Sequence, residues 1–264
     1  MAPDIVNLLR HLRVAGLRYR DLHARPARRA RERPPRSGVA ILALVSLVRG
    51  VGRTTLAANL ATTLGRRGLR AAAVDLDPRA DLRAHFAARL DLVPAGQAEQ
   101  PEIEWPERAV GFVPHLDDHA SAVEAAWDCD AVVIDTAAGP SDAVEQALAE
   151  ADEVVVVGRP DRESVDAVPA TEDLLARCRM RSWRRSRALY LVNRFDGRRP
   201  ADRQALAALR AMLGPRLLSP TVQEDAAVPA ALQAGRCIED AAPGSQVVAD
   251  LQALAGLLLP GDAP

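Results

Sequence analysis

Short, continuous apolar runs recur along the chain from Gly38 onward, and helix-periodic stretches separate most of them. ILALVS opens the series at Ile41, and LRAAAVD, GFVPH, DAVVID, EVVVV and ALYLVN follow. A strand that is apolar throughout, rather than at every second position, is buried on both faces. Such strands alternating with helices predict an α/β fold, a mostly parallel sheet covered by helices on both sides. Its ligand is expected at the carboxyl ends of the strands, where the loops gather. Residues 38–260 are assigned to this domain. Ahead of it, residues 1–24 read as an amphipathic helical extension, with Ile5, Leu8, Leu9 and Leu12 on one stripe among arginines. Residues 25–37 (RPARRARERPPRS) form an Arg/Pro-rich linker with nothing to bury. The late stretch DLQALAGLLL is amphipathic with no basic residue nearby, and reads as a final helix packed on the core.

Composition narrows the function. The chain of 264 residues holds 34 arginines, no lysine and a formal net charge of −1, so it is no general polyanion binder. Aromatics make up only 3% of it, so the core must be aliphatic. Cys129, Cys178 and Cys237 form no CxxC pair, which argues against a zinc or iron–sulfur site and for a reducing compartment. No signal peptide is legible at the start. The most apolar run, Val39–Val48, is about half of the ~20 residues needed to span a bilayer. A cytoplasmic protein is expected.

The chemistry concentrates after the first strand, in Val48-Arg49-Gly50-Val51-Gly52-Arg53-Thr54-Thr55. Strand, glycine loop and helix in that order place backbone N–H groups and the positive end of a helix dipole against phosphate. Gly50, Val51, Gly52, Arg53, Thr54 and Thr55 are therefore the candidate cradle, with Thr54 as the Mg²⁺ ligand and Thr55 toward the α-phosphate. The usual lysine is Arg53, and the opening glycine is Leu47. Read alone, the loop is equally an ordinary strand-to-helix turn. Two carboxylates favour the nucleotide: Asp77 after the second strand, and Asp135 at the end of AVVID, both placed to hold Mg²⁺ waters or an attacking water. Asp75 is assigned a turn or capping role. The loop looks built to bind a nucleotide and poorly equipped to hydrolyse it.

The run from Ser46 through TTLAANLATTLGRRGLRAAAVDLDP, with DAVVIDTAAGP, LVNRFD and AALQAGRCIED, resembles the ParA/MinD group of deviant Walker P-loop ATPases over essentially all of 38–260. Within that group the segment LVNRFDGRRPADRQALAALRAMLGPRLLSPTVQEDAAVPAAL is most similar to the cellulose-operon (BcsQ or YhjQ) branch. The resemblance implies ATP and Mg²⁺ as ligands and a sandwich homodimer. It implies Asp77 as the catalytic aspartate, Asp135 as the Walker B aspartate holding Mg²⁺ through water, and Asn193, Arg194 and Gln223 on the adenine side. The group's signature lysine reaches a partner's nucleotide; Val48 stands there by ungapped alignment, and the adjacent Arg49 is the candidate to replace it. The implied function is that of an ATP-binding accessory protein of bacterial cellulose biosynthesis and secretion, assembling or localising the synthase at the inner membrane with weak or absent hydrolysis. Its partners would be the synthase complex or a small accessory protein of the same operon, with peripheral contact to anionic lipid. The alternatives are a partition ATPase binding DNA nonspecifically and a degenerate scaffold without nucleotide. Nucleic acid is the less favoured partner, because the arginine-rich RCRMRSWRRSR (177–187) also reads as a solvated helix end. His115 and His119 in HLDDH are assigned to a loop, not to a metal.

Overall fold

A computed structural model describes residues 39–87, 110–113, 129–181 and 187–259. All six apolar runs become strands: β1 (Ala40–Ser46), β2 (Ala71–Asp75), β3 (Val110–Val113), β4 (Ala131–Ala138), β5 (Glu153–Gly158) and β6 (Arg187–Val192). They pair in the order β3-β2-β4-β1-β5-β6, every pair parallel. β2 to β4 lie on one side of β1 and β5 and β6 on the other. The connections therefore part at the end of β1, which opens a crevice there.

Eight helices accompany the strands among the described residues: α1 (Arg53–Arg66), α2 (Asp142–Glu150), α3 (Arg162–Asp166), α4 (Val168–Arg181), α5 (Pro200–Leu213), α6 (Ala227–Gln233), α7 (Ile238–Ala241) and α8 (Gln246–Leu258). Local chemistry fixes several of their starts. The hydroxyls of Ser141 and Ser245 and the carboxylate of Asp161 accept first-turn N–H groups of α2, α8 and α3, and Pro200 supplies a preset φ at the head of α5.

The two-residue period of the strands divides the core. Leu42, Leu44, Ala73, Val133 and Val155 face a layer made by Leu56, Leu60 and Leu64 of α1 and by α8. Ile41, Ala43, Val45, Val74, Ile134 and Val156 face the other layer, made by Val144 and Leu148 of α2, Leu174 and Leu175 of α4, and Leu209 and Leu213 of α5. The final helix buries Val247, Val248, Leu251, Leu254, Ala255 and Leu258, so its apolar stripe is spent on the core as the sequence indicated. Among the described residues no helix is long and apolar enough to cross a membrane, and all three cysteines are buried and form no disulfide. The helical extension, the linker and His115 and His119 lie outside the described residues, as does most of the tryptophan-bearing part of 177–187.

Candidate functional site

The loop between β1 and α1 is held from both ends. The Ser46 hydroxyl donates to the Val48 carbonyl (2.9 Å) and accepts the Val48 N–H (3.0 Å), pinning the first bend. Val48 and Val51 are buried in the α1-side core. Leu47, in the place of the opening glycine, packs instead against the α2/α4-side core, so its side chain lies off the phosphate cradle. Gly50 and Gly52 take the left-handed conformation, with φ of 71° and 86°. At Gly52 the need is doubled: a Cβ there would lie 2.5 Å from Asn193 Nδ2. No side chain caps α1, and its first turn has no acidic residue. Uncapped amides and the positive end of a helix dipole can hold an anion.

Opposite this helix end stand three carboxylates. Asp75 and Asp135 are register partners on β2 and β4, and both are fully buried. Asp75 keeps the turn role assigned to it: its oxygens accept the N–H groups of Asp77 (3.0 Å) and Leu82 (3.2 Å), which shapes the turn that presents Asp77. The side chain of Arg53 closes the group. Its Nε donates to Asp135 Oδ1 at 3.0 Å and its Nη2 to Asp77 Oδ2 at 3.2 Å, with only 7% of the side chain exposed. Burial pushes the Asp135 carboxyl above the ordinary carboxylate range, and the Arg53 charge and the Thr54 hydroxyl pull it back. Asp135 Oδ2 is buried and has no hydrogen-bond partner. A hard cation beside Thr54 would satisfy that oxygen, so the donor set fits Mg²⁺.

Asp75 and a second buried group set opposing pH dependences. Burial raises Asp75 from 3.8 to about 6, with the charges of Asp135 and Asp77 adding to it against the two N–H bonds. The folded protein thus holds an extra proton between those values, and this contribution to stability falls as pH rises through the window. His85, in the 3₁₀ turn Asp81–Phe86, is lowered by burial from 6.5 to about 4 against the pull of Asp81. Its contribution is present above 6.5 and lost as pH falls toward 4. The two slopes nearly cancel in the wild type. Asp75→Asn should therefore lose stability on acidification and His85→Gln should gain it, each by on the order of 2–3 kcal/mol across about pH 7 to 4. Urea unfolding at a series of pH values checks this, and parallel slopes in the two variants would refute it.

Of the residues assigned to the adenine side, Asn193 and Arg194 come up against the loop. Asn193, buried at the end of β6, donates from Nδ2 to the Val51 carbonyl at 2.7 Å, which ties β6 to the loop. Arg194 follows with φ of 58°, exposed, its Nε within 3.6 Å of a Cβ built on Gly52. Gln223 comes alongside through a single parallel bridge to Phe195, not through a regular strand. Its N–H is held by Asp250 of α8 and its side-chain amide by Thr221. Thr54 and Thr55 are half-buried on the first turn of α1, and the Thr55 carbonyl accepts from Asn59 (2.7 Å). Asn59 in turn accepts the Ile238 N–H (2.7 Å), so the QAGRCIED segment is fastened to the phosphate-loop helix. Arg49 is exposed on the loop, whereas Val48 is buried and cannot reach another molecule.

Two features escaped sequence reading. The Arg53 bridge joins residues 24 and 82 positions apart, and no local spacing announces it. The burial of His85 likewise has no signal, since a lone histidine in a polar stretch reads as surface.

Comparison with known proteins agrees with this fold. Residues 42–238 match the model of the CobQ/CobB/MinD/ParA nucleotide binding domain. The chromosome-partitioning ATPase Soj of Thermus thermophilus is 30% identical over 227 residues, 80% of this chain and 91% of that protein. Among solved structures, the septum site-determining protein MinD of Pyrococcus horikoshii, complexed with Mg-ADP, superposes with a TM-score of 0.65 at 23% identity, covering 83% of this chain and 96% of that one. The ATP complex of a McdA variant from Cyanothece gives 0.65 at 16%, covering 86% and 99%. The chain belongs to the CobQ/CobB/MinD/ParA nucleotide-binding domain family.

Proposed function

We propose that the chain is a nucleotide-gated, dimerising ParA/MinD-type protein that binds ATP with Mg²⁺ and hydrolyses it slowly or not at all. The observation that carries this reading is the left-handed glycine loop at the uncapped end of α1, facing a buried carboxylate oxygen without a partner. The amides from Gly50 to Thr55 hold the phosphates, Thr54 and Asp135 hold the metal, and Asn193, Arg194 and Gln223 border the base. Asp77, half-buried at the mouth, orients water. Mg²⁺ in that place supplies charge neutralisation to the phosphates. Fast phosphoryl transfer needs a well-placed cation worth ~10³–10⁵ in rate. Here Arg53 is engaged with two carboxylates, and the one exposed arginine of the loop, Arg49, is broader than an ammonium and differently shaped. At the level of the cell we place the protein in bacterial cellulose biosynthesis, assembling or localising the synthase at the inner membrane through a second copy of itself and an operon-encoded partner.

The test is the melting temperature and solution mass with and without Mg-ATP, for the wild type and Asp77→Ala. A ligand taken only by the folded dimer stabilises it by mass action, about 2.7 kcal/mol at a hundredfold excess over Kd. The expected result is a rise in melting temperature with a monomer-to-dimer shift, in both proteins if Asp77 acts on water alone. No change in either quantity would sink the reading and leave a scaffold without nucleotide.

The partitioning relative favours a second reading, a partition ATPase on nonspecific DNA. Retention on DNA that falls steeply with salt would establish it. Salt-independent failure to bind would leave the synthase-associated role.

A further inference from the structure

We infer that the arm of Arg53 that reaches Asp77 is a latch on a strained surface turn, Asp77–Asp81, and that nucleotide in the phosphate loop opens it. The inference rests on the nucleotide-binding reading above. The turn has five residues, four of them exposed, and runs between two buried leucines. The Leu76 N–H donates to the Asp135 carbonyl at 2.8 Å, and the Leu82 N–H is held by Asp75. Between these anchors Ala80 has φ of 54° and ψ of 35°, left-handed values that are unfavourable for any residue with a Cβ. Among the described residues only one other non-glycine, Arg194, has a positive φ, and it lies against the loop. Strain of this kind persists where the surroundings hold it, and it gathers at switch segments. Asp77 does the holding. Its Oδ1 accepts the Arg79 N–H (3.1 Å) and its carbonyl the Ala80 N–H (2.9 Å), both within the turn, while Oδ2 takes Arg53 Nη2 and ties the turn to the head of α1. The two arms of the guanidinium are unequal. Nε meets the fully buried Asp135 at 3.0 Å, and Nη2 meets the partly exposed Asp77 at 3.2 Å. The longer, better-solvated contact is the weaker one. Arg53 is also the first residue of α1, so a polyphosphate in the cradle competes with a single carboxylate for that outer arm. The inner arm stays on Asp135 Oδ1 as a tether, and Asp135 Oδ2 and Thr54 remain for Mg²⁺. Release of the outer arm frees one oxygen of Asp77 for water and lets the strained turn relax, so occupancy of the site changes the exposed surface at Pro78–Asp81.

The experiment is hydrogen–deuterium exchange, read by mass spectrometry on the full chain with and without saturating Mg-ADP, for the wild type, Arg53→Met and Ala80→Gly. Circular dichroism shows whether each variant is folded. In the wild type, Mg-ADP should slow exchange in the loop (48–56) and speed it about fivefold or more in the turn (76–84). In Arg53→Met the turn should exchange that fast without nucleotide. In Ala80→Gly the relief of strain favours the closed turn by about fivefold or more, so the response to Mg-ADP should shrink below about twofold. A loop that slows beside a turn that does not speed up would overturn the latch and leave the nucleotide reading intact. A turn in folded Arg53→Met as slow as in the empty wild type would also overturn it. So would a full response in Ala80→Gly, which tests the strain even where Arg53→Met fails to fold. No change in either segment, with no shift in melting temperature, would defeat both readings together.

Discussion

Arg53→Ala is expected to lower folding stability by about 3–5 kcal/mol, the usual cost of removing one partner of a buried ion pair. The cost arises on the carboxylate side. Asp135 is fully buried and one of its oxygens has no hydrogen-bond partner; removing Arg53 takes the guanidinium from the other. Its carboxyl, raised by burial even in the wild type, would rise further once the nearest opposing charge is gone. An acid whose folded-state value lies above its unfolded value loses stability as pH rises, so the deficit of Arg53→Ala should be larger at about pH 8 than at about pH 5. The double variant Arg53→Met with Asp135→Asn removes both charges. It should recover a large part of the loss, because the damage comes from the orphaned charge and not from the missing contact. Urea unfolding of Arg53→Met, Asp135→Asn and the double forms a complete cycle with the wild type. If the double is as unstable as the sum of the singles, the two residues are not coupled and the orphaned charge is not the cause.

The sheet and the phosphate loop were legible because their signals are local. Six continuous apolar runs have one economical solution, a parallel sheet covered on both faces, and β1 to β6 fall on those runs. Gly50, Gly52, Thr54, Asp77 and Asp135 could be singled out as candidates because a phosphate cradle needs these residue types at these places. The rest depends on contacts between distant segments. Leu47 stands in place of a glycine, and nothing local announces that its side chain turns to the far face of the sheet. The tie of Asn193 to Val51 spans 142 positions, and neither residue's neighbours betray it. Val48 is the instructive case. Alignment put it where a lysine would cross to a partner, but an apolar residue at a bend beside the core is drawn inward, which leaves the exposed Arg49 as the residue able to reach out.

Gly52→Ala should be the most damaging single-atom change in the loop. Two costs add there. The backbone has φ of 86°, where a Cβ costs roughly 1–2 kcal/mol. The new atom would also lie 2.5 Å from Asn193 Nδ2, a distance that real contacts do not tolerate. Asn193 must then give way, and it is the donor to the Val51 carbonyl, so a buried hydrogen bond worth about 1 kcal/mol is lost as well. Gly50→Ala is the matched comparison: its φ of 71° carries the same backbone strain, but nothing lies within 4 Å of the added Cβ. The expected losses are therefore about 1–2 kcal/mol for Gly50→Ala and about 2–4 kcal/mol for Gly52→Ala. Nucleotide binding should follow the same order, since displacement of Asn193 disturbs the loop it is tied to. Equal losses in the two variants would mean that strain alone governs the loop and that the tie between Asn193 and Val51 does not hold it. A larger loss at Gly52, removed by pairing it with Asn193→Ala, would identify the close approach of β6 to the loop as the contact that fixes the cradle.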